Sequence, residues 1–184
     1  MNNLRELILS IFFLLITIAS QIMVVNLLPA PINQVDIILS GLILQAIFSN
    51  KKNLVIIFTI TAGLFLEILT TATAGAHIFS LLIAIIAVDW ALNNVLSKRS
   101  LRTTLIVTLL AIIIKFTIFY SFLYISGEIT SSLFLAPSQF TSNLISQAIL
   151  TAILTLFLYW LISKTSRRLN PNYIIHTESK NFYG

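Results

Sequence analysis

Residues 51–100 read KKNLVIIFTITAGLFLEILTTATAGAHIFSLLIAIIAVDWALNNVLSKRS. Two apolar runs, Leu54–Ala72 and Ala76–Leu96, flank a turn of small and hydroxyl residues, and Lys51, Lys52, Lys98 and Arg99 stand at the two far ends. Each run is about the 20 residues that a helix needs to cross a bilayer core. So short a turn makes the two helices antiparallel neighbours, with both open ends on one side of a membrane. Basic residues collect in cytoplasmic loops, so that side is expected to be the cytoplasm.

The same pattern extends outward. Further runs are Leu7–Leu28, Ile32–Phe48, Thr103–Ser126 and Phe140–Ile162. Ten of the eleven Lys and Arg residues fall on one implied side: Arg5; Lys51 and Lys52; Lys98, Arg99 and Arg102; Lys164, Arg167, Arg168 and Lys180. The opposite side carries only Glu128 in the loop 127–139. The expected fold is therefore an all-α integral membrane protein. Residues 1–163 form a six-transmembrane-helix bundle with both termini cytoplasmic, and 164–184 form a basic cytoplasmic tail. The first run is about twice a signal-peptide core and lacks a clear small-x-small cleavage site, so it is expected to be a retained span. Ile32–Phe48 is the shortest run and carries Asp36, Ser40, Gly41 and Gln45, which suits a short, tilted or re-entrant segment. The charge pattern argues for keeping it.

Composition agrees. The 184 residues are 58% apolar and 9% charged, with mean hydropathy +0.99; a soluble domain is about one-quarter charged. The net charge of +5 is spread over four cytoplasmic segments, which suits topology and contact with anionic lipid better than nucleic-acid binding. There is no cysteine, which excludes disulfides, thiol catalysis and cysteine-ligated metal.

Glu67, Asp89 and Lys115 lie inside spans, and His77 lies at the mouth of one. Charges there are costly, roughly 2.5–3.5 kcal/mol each on insertion scales, and are expected to have partners. At about 1.5 Å per residue, Lys115 lies about 18 Å from the inner end of its run, Glu67 about 20 Å and Asp89 about 10 Å. Matching depth and opposite sign predict a Glu67–Lys115 pair. Gly63 and Glu67 share a face with Thr71 and Ala74, and Lys115 shares one with Thr104, Thr108 and Ala111. Small and hydroxyl residues let helices approach closely in lipid. Asp89 and Asn93 form a polar patch near the cytoplasmic side, open either to water or to a partner. His77 reads first as a helix-start residue at the outer interface, and second as a pH sensor or ligand. Trp90 reads as packing or interfacial anchoring. Asn143, Gln147 and Thr151 line up in the outer half of the last run.

Motifs for enzymatic chemistry are missing. The sequence has no H-E-x-x-H and no G-x-S-x-G, and its five glycines form no phosphate loop. His77 and His176 are expected on opposite sides of the membrane, so no shared metal is expected. The expectation is a protein that is not an enzyme and has no cofactor.

The segment Gly63–Phe79, GLFLEILTTATAGAHIF, resembles the signature of the rod shape-determining protein MreD family. There a glycine and, four residues on, an acidic residue lead into a small polar turn, then Gly-x-His and another apolar helix. Gly63, Leu64, Glu67, Leu69, Gly75 and His77 match without a gap. Glu67 stands where the family usually has aspartate, and Thr70-Thr71-Ala72-Thr73 replaces a Ser-Gly-Ser-Pro-like turn. The resemblance implies a non-enzymatic scaffold in the bacterial inner membrane, acting in cell elongation and peptidoglycan synthesis. Its implied partners are the bitopic protein MreC and, through the complex, the actin-like MreB and peptidoglycan synthases. That family's bundle also resembles the substrate-binding subunits of energy-coupling-factor transporters. The alternative is therefore a small-molecule-binding subunit, with His77, Glu128, Asn143 and Gln147 near its outer pocket. A proton-coupled carrier using Glu67 and Lys115 is a third class; the sequence lacks the paired Gly/Pro-broken helices such carriers use.

Overall fold

The computed structural model describes residues 2–29, 32–49, 52–70, 75–95, 100–126 and 137–169. It is all-helical: α1 (Asn2–Leu27), α2 (Ile37–Phe48), α3 (Lys52–Thr70), α4 (Ala76–Asn94), α5 (Leu101–Ile125) and α6 (Pro137–Leu169). A single 3-10 turn, Ile32–Gln34, precedes α2. Among the described residues, four stretches are long and apolar enough to cross a membrane: α3, α4, α5 and Leu144–Lys164 of α6. Large apolar side chains such as Phe12, Leu15, Ile57, Ile86, Ile113, Ile153 and Phe157 point outward. A soluble surface does not carry so wide an apolar face. The chain is a multi-pass membrane protein. The expected tail boundary at 163/164 falls within α6, which continues to Leu169; residues 170–184, with Lys180, lie outside the described residues.

Side-chain contacts fix the directions of the helices. Asp89 meets Lys52, and Phe79 stacks on Phe122, so α4 runs antiparallel to α3 and α5. Asp36 meets Thr151 and Phe48 stacks on Tyr159, so α2 and α6 run parallel. Lys52, Arg102 and Lys164 thus gather at one end, called here the basic end.

The centre of the bundle is α2, which touches all five other helices. Ile38, Leu39, Ser40, Gly41, Leu42, Ile43, Leu44 and Ile47 are buried. A helix apolar on every side belongs inside a protein, and α2 has no face left for lipid. It is also short: the 12 residues of Ile37–Phe48 make about 18 Å against a hydrocarbon core of about 30 Å. The expected span Ile32–Phe48 is therefore not one continuous helix. Proline restricts the chain at Pro29 and Pro31, and regular helix resumes only at Ile37.

Small residues set the closest crossings. A Cβ on Gly63 would stand 2.7 Å from Ile78 Cα, so the α3 backbone lies directly against that of α4. A Cβ on Gly41 would meet Thr17 Cγ2 of α1 at 2.8 Å. Thr104, Thr108 and Ala111, the face expected to be shared with Lys115 on α5, are buried, as are Ser80, Ala84 and Ala91 on α4. Two of the buried hydroxyls on α3 and α5 are satisfied within their own helices: Thr59 donates to Val55 O and Thr108 to Thr104 O, both at 2.7 Å.

These contacts rank two substitutions. Gly63→Ala meets backbone and should cost about 1–3 kcal/mol as overpacking, whereas Gly41→Ala meets only side-chain atoms, of Thr17 and Phe13. Thermal unfolding in mild detergent should therefore show the larger loss for Gly63→Ala, and equal losses would contradict the α3–α4 crossing.

Candidate functional site

Non-helical backbone is tolerated at membrane depth only where protein satisfies its polar groups. The break before α2 meets that condition with side chains from three helices. Gln21 of α1 donates from Nε2 to Val35 O at 3.1 Å and accepts from Ile37 N at 2.7 Å. Thr151 of α6 accepts from Asp36 N at 3.1 Å. Asp36 is the N-cap of α2: its Oδ1 accepts from Leu39 N at 2.9 Å, and its carbonyl accepts from the Ser40 hydroxyl at 2.9 Å. Thr155 extends the network by donating to Ser40 Oγ at 3.0 Å, and Ser146 donates to Gln34 Oε1. Ser40, Thr151 and Thr155 are fully buried, and Asp36 is 4% exposed.

The second carboxylate oxygen of Asp36 accepts from the Lys115 ammonium. Lys115 lies about 21 Å along α5 from Leu101 and about 15 Å from Ile125, so the pair is well inside the bundle. This corrects the expected Glu67–Lys115 pair. Counting depth from the ends of the runs matches Lys115 to Glu67, because Asp36 stands near the start of its own run. Because α2 begins part-way through the bundle, the Asp36 carboxylate sits at the level of Lys115 instead of near a membrane face.

Glu67 has other work. Its Oε1 accepts from Ile78 N at 3.1 Å, in the first turn of α4, where helical amides lack acceptors of their own. The N-cap of α4 is Gly75, at φ +96°, which offers no side chain. Glu67 supplies that missing acceptor from the neighbouring helix, and a carboxylate at a helix N-terminus is further favoured by the macrodipole. His77 Nε2 lies 3.0 Å from Thr70 Oγ1, and the ring packs on Phe119 with centroids 4.7 Å apart. His77 Nδ1 is buried without a hydrogen-bond partner among the described residues. Gly63, Glu67, Gly75 and His77 thus form one clasp between α3 and α4. At the other end of this hairpin Lys52 Nζ donates to Asp89 Oδ2 at 2.8 Å, and Asn93 Nδ2 donates to Asp89 O at 2.5 Å. Asp89 has an internal partner, in a half-exposed setting where such a pair contributes ~1 kcal/mol or less.

The structure does not unite all the sequence candidates. Glu67 and His77 share the clasp, Lys115 belongs to the α2 break, and Asp89 lies at the basic end. Glu128 and the Asn143 side chain lie outside the described residues. The sequence reading did not single out Asp36, Gln21 and Thr155. The signal for Asp36 was an acidic residue just ahead of an unbroken apolar helix and just after two prolines, an N-cap position.

Among the described residues no cluster of His, Cys, Asp and Glu could hold a metal ion. An open, mainly apolar groove of about 600 Å³ runs between α5 and α6, lined in part by Phe116, Tyr120, Tyr124 and Leu144. Comparison with protein-family models, with characterised proteins and with solved structures finds no match.

Breaking a buried pair by removing one partner costs about 3–5 kcal/mol. Asp36→Asn and Lys115→Met should each lower detergent-phase stability by that order. The double variant should recover most of the loss, because asparagine keeps the cap and no charge is left unpaired. A double variant no better than its parents would refute the pair.

Glu67→Gln keeps the acceptor and should cost ~0.3–1 kcal/mol, the charge–dipole part alone. Glu67→Ala loses the cap as well and should cost about 0.5–2 kcal/mol. Equal losses from the two substitutions would argue against the cap role.

Proposed function

We propose that the chain is a non-enzymatic scaffold of the bacterial cell-elongation machinery, resembling the MreD family. It would lie in the cytoplasmic membrane with six crossings and both termini inside. Its partners would be an MreC-like bitopic protein and, through the complex, an MreB-like filament and peptidoglycan synthases. The observation that carries this reading is the use made of the residues behind the resemblance. Gly63, Glu67, Gly75 and His77 hold two helices together, and the Glu67 carboxylate is engaged by a backbone amide. Asp36 and Lys115 likewise neutralise each other. Such groups build a rigid body whose outer faces are free for partner helices.

The alternative, a substrate-binding transporter subunit, draws on the groove between α5 and α6. Its described lining does not include His77, and small-molecule sites need several convergent polar groups. Affinity purification of the tagged protein from its native membrane separates the readings. Recovery of a bitopic coiled-coil protein together with an actin-like protein is the expected result. Recovery of ATPase subunits with a large membrane coupling protein would replace it with the transporter reading.

Orientation is tested separately, since the chain has no cysteine of its own. Single cysteines at Arg5 and Glu178 should resist a membrane-impermeant thiol reagent in whole cells, and one at Glu128 should react. Labelling at either end would overturn the topology.

A further inference from the structure

At the basic end, the first turn of α5 and the last apolar turn of α6 enclose a cleft of about 700 Å³. Arg102 and Lys164 stand on its two walls, with Ser100, Ser163 and Trp160 between them. The Lys164 ammonium lies over the Trp160 ring, 5.0 Å from its centroid. A second, apolar cleft of about 410 Å³ shares Leu101, Arg102 and Trp160 with the first and continues along Leu105, Leu156 and Phe157. We propose that the two clefts form one site for an anionic phospholipid, with the headgroup phosphate between Arg102 and Lys164 and an acyl chain along Leu105 and Phe157.

Four observations point to that occupant. The first is depth. The apolar stretch of α6 ends at Lys164 and α5 begins at Leu101, so the charged cleft lies where hydrocarbon gives way to headgroups. The second is charge. The described carboxylates Asp36, Asp89 and Glu67 are engaged by Lys115, Lys52 and Ile78 N, and none of them neutralises Arg102 or Lys164. The third is the helix end. Ser100 Oγ accepts from Thr103 N at 3.2 Å, while the amides of Leu101 and Arg102 have no acceptor in their own helix. A helix start and two cations suit a phosphodiester. The fourth is shape. A soluble phosphate would fill the charged cleft and leave the apolar one empty, whereas a lipid fills both. A zwitterionic lipid brings its own ammonium group and gains less from the two cations.

The chain has two tryptophans, and Trp90 is on the exposed face of α4. Trp90→Phe therefore leaves Trp160, inside the proposed site, as the single reporter. This variant would be reconstituted in vesicles of zwitterionic phosphatidylcholine containing bromine-labelled acyl chains on either phosphatidylglycerol or phosphatidylcholine. Quenching of Trp160 then reads which lipid occupies the cleft. Each basic side chain near an anionic headgroup is equivalent to roughly a fivefold gain. The expected result is about a 25-fold preference for the brominated anionic lipid, abolished in the Trp90→Phe/Arg102→Gln/Lys164→Gln protein. Equal quenching by both lipids in the Trp90→Phe protein overturns the site without recourse to any charge variant. An undiminished preference after removal of both charges overturns the assignment of Arg102 and Lys164. Loss of the preference in millimolar inorganic phosphate at constant ionic strength would show a headgroup-only anion site and overturn the acyl-chain assignment.

Discussion

The bundle depends on one constraint: α2 starts inside the protein, and everything its first turn exposes must be answered there. An isolated carboxylate at that depth is prohibitive, and so is an isolated ammonium. Asp36 and Lys115 cancel each other, and the same aspartate caps the helix. Gln21 and Thr151 then satisfy the backbone on either side of it. With α1, α5 and α6 all tied to this point, the remaining helices have little freedom in how they surround α2. The pair is better viewed as fixing register than as adding stability, since a buried ion pair often gains little over a well-packed apolar one.

A second, independent fastening holds α3 to α4. Gly63 permits backbone contact, Glu67 caps the facing helix, and Lys52 and Asp89 close the opposite end. The two fastenings have different characters. The α2 break is buried and joins distant parts of the chain, whereas the hairpin is local and partly exposed. Local contacts form early and cheaply, because little loop-closure entropy opposes them.

Much of this was legible in the sequence. The hairpin was, because its two apolar runs, short turn and flanking lysines are all local features. The small-residue stripe on α5 was, because helical period alone places Thr104 with Thr108 and Ala111. The helix start beside Gly75 was, and Glu67 stood out as a charge inside an apolar run that needs a partner, although that partner is Ile78 N and not Lys115. The partner of Lys115 was not. Choosing between Glu67 and Asp36 required knowing that α2 is a partial helix, and a hydropathy run does not reveal where regular hydrogen bonding begins within it. Gln21 and Thr155 were hidden for a related reason: a polar residue in an apolar run shows that it needs a partner without showing which one.

The enclosure of α2 also has a consequence in time. The partners of Asp36 lie far along the chain, Lys115 at 79 residues and Thr151 at 115 residues downstream. Ribosomes add about 5–20 residues per second, so Asp36 is made several seconds before its counter-ion exists. During that interval α2 is too short to cross by itself and carries a charge at its leading end. Until α5 and α6 are made, Asp36 lacks the ammonium and the hydroxyl that answer it in the finished bundle. The central helix is among the first segments synthesised, and its polar start is among the last points whose contacts can be completed.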